Sequence, residues 1–109
     1  MEAVKNDENK TELNLLPVLA LEKIGSVFSF GAKKYSNYNW SKGLLYSRIF
    51  AATLRHLFSW WKGEELDEES GKSHLYHAGC CILMLIETQE LELGEDDRPQ
   101  YYKKQDNDK

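Results

Sequence analysis

Apolar positions recur at intervals of three and four through three stretches of the chain, and polar segments separate them. The first stretch, "NLLPVLALEKIGSVFSFGAKKY", places Val18, Leu21, Ile24, Phe28 and Ala32 on one stripe and predicts a helix. Pro17 stands near its start, where a missing N–H costs nothing. Gly25 and Gly31 weaken the interior, and the second is a candidate stop. The second stretch, "SRIFAATLRHLFSWWKG", predicts a helix capped by Ser47 and stopped by Gly63. Its expected buried side is Phe50, Leu54, Leu57, Phe58 and Trp61, with Arg48, Arg55 and Lys62 elsewhere. The third, "HLYHAGCCILMLIETQELEL", follows a capping Ser73 and is apolar all round from Cys80 to Ile86. A helix of that kind lies in the middle of a bundle or at a subunit interface.

No segment reads as a strand or a repeat. The expected fold is all-α: a small bundle of three main helices with short connections, completed by oligomerisation. Residues 1–12 are polar and read as a flexible N-terminus, 13–93 as a single helical domain, and 94–109 as a charged, disordered tail. At 109 residues the chain makes one domain with a thin core, which a homo-oligomer would relieve.

The net charge of −4 excludes a general binder of nucleic acid polymers, which needs a basic surface. No apolar run reaches the roughly 18 residues of a membrane span, and the N-terminus lacks an apolar signal core. Cys80 and Cys81 are the only cysteines and are neighbours, so a reducing, cytoplasmic setting is expected. In an apolar helix their thiols are inert packing groups.

All three histidines fall between residues 55 and 79. His74 and His77, three apart, project from one face of the third helix, and an antiparallel second helix would bring His56 toward them. Three imidazoles with a carboxylate or water can hold a transition metal. They can equally be boundary residues with backbone or carboxylate partners. Between the helices lie Glu64, Glu65, Asp67, Glu68 and Glu69, five carboxylates in six residues. Such a cluster suits Mg²⁺ or Mn²⁺ and substrate phosphates, or else a solvated turn leading into a helix N-terminus. Glu65 and Glu68 form one E-x-x-E pair, and Glu87 and Glu90 another. The loop "FGAKKYSNYNWSKG" sets Lys33 and Lys34 beside Tyr35, Tyr38 and Trp40. Lysines bind phosphates, aromatic faces stack on bases, and Arg48 and Arg55 would extend the same positive surface. The alternative has the aromatic residues packing the loop onto the bundle.

Together, the Gly-Ala-Lys-Lys-Tyr step, the Asn-Trp pair, the helical Arg-His, the Trp-Trp-x-Gly-Glu turn and Asp-x-Glu-Ser-Gly before His-x-x-His form a specific combination. From about Leu15 to Glu87 the chain resembles the phage-encoded dATP/dGTP diphosphohydrolase N-terminal domain family, grouped with the MazG-like nucleotide pyrophosphohydrolases. That resemblance implies a phage protein acting on purine nucleotides in the host cytoplasm, releasing a nucleoside monophosphate and pyrophosphate from a triphosphate. It implies that Glu64, Asp67, Glu68, His74 and His77 hold metal or activate water, with His56 completing the inner face of the second helix. Lys33, Lys34 and Arg55 would then face phosphates, and Tyr35 and Trp40 would border the base. The acidic residues depart from the MazG arrangement of E-x-x-E within one helix and E-x-x-D on the next, since the later pair here ends in Glu90. A second expectation follows from that departure: a protein that captures a nucleotide, such as a signal of host defence, without hydrolysing it.

Overall fold

The computed structural model describes residues 3–102. Three long helices carry the fold: α1 (Val18–Lys34), α2 (Tyr46–Trp61) and α3 (His74–Glu90), with short 3-10 turns at Leu13–Leu15 and Asn39–Lys42. Among the described residues the only β pairing is two isolated bridges, so the chain is all-α. Part of the tail, residues 103–109, lies outside the described residues, as do residues 1 and 2.

α3 is the middle helix. Both α2 and α1 pack on it, yet Ile82, Leu83 and Ile86 of its apolar centre stay exposed. Buried Ala78, Cys80 and Cys81 face the two neighbours, which contribute Val27 from α1 and Ile49 from α2. α1 comes so close to α3 that a Cβ on Gly79 would stand 2.6 Å from the Ile24 side chain. Gly25 and Gly31 do not break α1, which runs on to Lys34.

The buried faces differ from those expected. On α2 the buried positions are Ile49 and Thr53, while Phe50 is 56% exposed, Phe58 60% and Trp61 81%. The helix is turned so that the Ile49–Thr53–His56 stripe meets α3, with the Thr53 hydroxyl satisfied by the Ile49 carbonyl at 2.8 Å. Polar groups therefore share the inner face, and the larger rings point outward. On α1, Val18 and Leu21 are exposed and Val27 is the buried residue. Hydrophobic spacing alone cannot distinguish a face buried within the chain from one left for something else.

The two ends of the α2–α3 pair are tied. Gly63, at φ 95°, stops α2 as expected. From there the acidic segment folds back through an antiparallel bridge between Leu66 and Ser73. Inside it Asp67 N–H donates to the Lys72 carbonyl and Gly71 N–H to the Asp67 carbonyl, each at 2.8 Å. Ser73 caps α3, its hydroxyl accepting from Leu75 N–H at 3.1 Å.

At the other end, Ser47 is not the N-cap. The N-cap is Leu45, two residues earlier, and Ser47 N–H donates to Asp97 Oδ1 at 2.9 Å while its hydroxyl binds Asp97 Oδ2. Tyr46 N–H donates to the Glu95 carbonyl at 3.0 Å and Glu95 N–H to the Leu44 carbonyl at 3.2 Å. Composition grouped residues 94–98 with the tail, but they close the start of α2. Gly94 makes this possible: a Cβ there would meet the Leu44 carbonyl oxygen and a Tyr46 ring carbon, both at 2.9 Å.

Gly94→Ala forces that clasp apart against backbone, which cannot swing aside as a side chain tip would. The variant is expected to lose about 1–3 kcal/mol of stability, read as a fall in melting temperature of several degrees. An unchanged melting curve would show that the clasp yields freely.

Candidate functional site

The antiparallel packing of α2 on α3 brings all three imidazoles together. His56 Nδ1 lies 2.8 Å from His74 Nδ1, and the His56 ring stacks on His77 with centroids 4.6 Å apart. The turn between the helices adds the carboxylates. Glu64 Oε2 stands 3.0 Å from His74 Nε2, and Asp67 Oδ2 stands 3.7 Å from His77 Nε2. Between the last two sits the Ser70 hydroxyl, 2.7 Å from His77 Nε2 and 3.0 Å from Asp67 Oδ2. His77 is thus linked to Asp67 through a hydroxyl relay rather than directly. Phe30 of α1 closes the far side with an edge contact to His77 at 6.5 Å.

One ligand atom from each of His56, Asp67 and His74 can be chosen so that all three lie within 4.8 Å of one another. Two imidazoles and one carboxylate suit a first-row transition ion with open positions better than Mg²⁺, which prefers oxygen donors. Glu64 does what a carboxylate behind a ligating histidine does. It accepts from His74 Nε2, fixes the tautomer, and turns Nδ1 toward His56 and the cluster.

Burial holds His56 below the ordinary imidazole range, and the neighbouring His77 and His74 lower it further. Burial also lowers His77, with Asp67 opposing. For Asp67, burial pushes the carboxyl up. The Ser70 N–H and hydroxyl, with His77 and His56, outweigh it and leave Asp67 below its usual range. His56 and His77 are therefore neutral, and Asp67 ionised, near neutral pH. The cysteines are different. Burial pushes the Cys80 thiol up to about 12 and raises Cys81 against the Thr53 hydroxyl, so neither is a ready thiolate.

From this cluster a cleft of about 640 Å³ opens between α1 and the α2–α3 pair. His56, Asp67 and His77 line one part of it; Phe28, Trp40, Leu44, Cys81 and Met84 supply an apolar part. His77 and Met84 are seven residues apart on α3, about 10 Å along the axis. Trp40 is held edge-on against Phe28 at 6.4 Å. Lys34 and Tyr35 also line the cleft, and Lys34 Nζ is tied to Glu69 Oε1 at 2.5 Å.

The expected site residues thus divide. His56, His74, His77, Asp67 and Glu64 converge, and Lys34, Tyr35 and Trp40 border the cleft. Glu68 is exposed and outside the cluster; Lys33, Arg48 and Arg55 are exposed and do not line the cleft. Glu87 and Glu90 are exposed near the end of α3, Glu87 roughly 15 Å along the helix from His77. Sequence reasoning passed over Ser70 and Phe30, and counted Glu69 within the acidic run without its tie to Lys34. Of these, Ser70 had a signal: an aspartate three residues before a serine forms a turn, and Ser70 N–H indeed donates to Asp67 Oδ2 at 2.9 Å.

Residues 2–98 match the family described as dATP/dGTP diphosphohydrolase, N-terminal. The chain belongs to that family. A dATP/dGTP diphosphohydrolase of Salmonella phage PMBT28 is 30% identical over 86 residues, which cover 79% of this chain and 29% of that protein. The chain therefore spans less than a third of that relative's length. No solved structure matches it. The matched region of this family member contains the whole histidine–carboxylate cluster and the clasp at residues 94–98. No helix among the described residues is long and apolar enough to cross a membrane.

The pKa directions fix how stability varies with pH. His56 and His77 bind protons more weakly folded than unfolded, where the ordinary value is 6.5. Their contribution is complete above that value and is lost as pH falls below it. Asp67 loses its own contribution only below 3.8. In chelator, the melting temperature is expected to fall from about pH 7 to about pH 5, and to fall less in His56→Gln. Equal slopes in the two proteins would remove His56 from the titration.

Proposed function

We propose that this chain is a metal-dependent nucleotide pyrophosphohydrolase of phage origin, acting in the host cytoplasm on a deoxypurine nucleoside triphosphate. The observation that carries this reading is the single cleft joining a His56–Asp67–His74 cluster to an aromatic, apolar wall. The name of the phage relative, a dATP/dGTP diphosphohydrolase, supports the substrate class. His56, His74 and Asp67 hold the ion, a first-row transition metal such as Mn²⁺ in preference to Mg²⁺. When bound, it supplies Lewis-acid charge at the phosphates and eases deprotonation of water.

The chain's own residues do the rest. His77, neutral and left outside the ligand set, takes a proton from the attacking water at Nδ1. Its Nε2–H donates to the Ser70 hydroxyl, which in turn donates to Asp67, so the imidazolium that forms is held in place. Oxygen from water bonds to the α-phosphorus as the bond to the bridging oxygen breaks, and pyrophosphate departs. Lys34, released from Glu69, meets the phosphates, while Trp40 and Tyr35 border the base.

Capture without hydrolysis is the second reading. It is favoured by the positions of Glu68, Lys33, Arg48 and Arg55 outside the cleft, which leave Lys34 as its lining cation. A nucleotide signal of host defence would be the captured ligand. Incubation with Mn²⁺ and a panel of dATP, dGTP and cyclic nucleotides, followed by chromatography, separates the readings. Hydrolysis gives monophosphate and pyrophosphate; capture returns intact ligand from the denatured protein. Under hydrolysis, His77→Ala is expected to lower kcat about 100-fold or more with metal content unchanged, and His74→Ala to lose both. Full turnover in His77→Ala would remove it as the base.

The same reading includes a homo-oligomer. Phe50, Phe58 and Trp61 on α2, with Ile82 and Ile86 on α3, leave more apolar surface uncovered than so small a core offsets. Light scattering after size exclusion is expected to give at least twice the chain mass. Phe58→Glu combined with Trp61→Glu is expected to lower it. A wild-type protein running as a single chain would end that part of the reading.

A further inference from the structure

The 35–42 loop is built, not loose. Asn39 N–H donates to the Ser36 carbonyl at 3.2 Å, and Ser41 N–H and hydroxyl both donate to the Tyr38 carbonyl, at 2.9 and 2.6 Å. Lys42 Nζ donates to the Ser36 hydroxyl at 3.4 Å. Tyr38 holds a left-handed backbone at φ 58°, uncommon for a residue with a Cβ and a mark of a conformation fixed by its surroundings. All of these bonds use backbone, serine or lysine groups. The side-chain amide of Asn39 takes part in none of them, although it is half-buried and lines the cleft beside Trp40.

An amide held next to an apolar, aromatic wall is poised for a ligand that is flat and carries a polar edge. A purine is such a ligand, and burying its edge is costly unless a partner answers it. We propose that Asn39 reads the purine edge and favours adenine over guanine, an inference that rests on the nucleotide reading of the cleft. An amide offers one donor and one acceptor side by side, which match the N6 amino group and N7 of adenine together. The N7 and O6 of guanine are both acceptors, so the amide can satisfy that edge only with its donor group. An aspartate at the same place offers acceptors alone. On that same edge it keeps the N6 amino group of adenine, loses N7, and has nothing to donate to the N7 and O6 of guanine. His77 and Met84 both line the cleft and stand about 10 Å apart along α3, a span that leaves room for sugar and phosphate between a base and the cluster.

The test is calorimetric titration with α,β-methylene analogues of dATP and dGTP, in Mn²⁺, for the wild type, Asn39→Ala and Asn39→Asp. Wild-type protein is expected to bind the adenine analogue more tightly. Asn39→Ala is expected to reduce that preference roughly tenfold, and Asn39→Asp to weaken both analogues, the guanine one more, so that the preference widens. Asn39→Asp keeps the side chain's shape, so it stays informative if the alanine variant is unstable. Metal affinity, measured with Mn²⁺ alone, is expected to be the same in all three. If the wild type binds both analogues and neither substitution alters the ratio, Asn39 does not read the base and the nucleotide reading stands. If the wild type binds neither analogue, the nucleotide reading fails and takes this inference with it.

Discussion

Antiparallel packing of α2 on α3 presses His56 Nδ1 to within 2.8 Å of His74 Nδ1, in a position where His74 is 5% exposed. Two ring nitrogens at that distance cannot both carry a proton without repulsion, and two bare lone pairs would repel as well. One must donate and the other accept, or both must turn their lone pairs on a common cation. Glu64 decides part of this by accepting from the far side of His74, which leaves its Nδ1 as the bare nitrogen. The Ser70 relay orders His77 in the same way. A few polar contacts thus determine which side of α2 faces inward, and the cleft follows from that choice because α1 can cover only what the pair leaves open.

This polar centre has a mechanical consequence. Apolar residues that are buried in the described chain are few, namely Val27, Ile49, Ala78, Cys80 and Cys81. Stability must lean on tied segments more than on core volume. The turn at 64–73 meets this need with its bridge, its Asp67 turn and the Ser73 cap, which turns a run of like charges into a rigid connection. Three of its five carboxylates find separate partners: Glu64 has His74, Asp67 has Ser70 and His77, and Glu69 has Lys34.

The three helices, Pro17 at the start of α1, the Ser73 cap and the Gly63 stop were legible in the chain because each is a local effect. The hairpin of histidines was legible too, since His-x-x-His and a short connection leave few other arrangements. Which face of α2 turns inward was not. By apolar area Phe50, Phe58 and Trp61 outweigh Ile49 and Thr53, yet the inner stripe is the one that carries His56 to its partners on α3. Ser47 misled for a related reason: a serine before an apolar run fits an N-cap, yet the group that serves α2 comes from Asp97, fifty residues on. Lys33, Lys34, Arg48 and Arg55 looked like one basic patch, but a helix turns 100° per residue and only Lys34 reaches the cleft.

The clasp formed by Leu44, Glu95 and Asp97 gives the family's extent a physical meaning. The four N–H groups at the start of a helix have no partner within it. In α2 the first is answered by the Glu95 carbonyl, the second by Asp97, and the next two by the Leu45 carbonyl. A chain cut at the end of α3 would keep all three long helices and still leave the first two of those groups to water. The smallest unit that folds as this one does is therefore longer than its three long helices, and residue 98, where the family match ends, lies just past the last of these bonds.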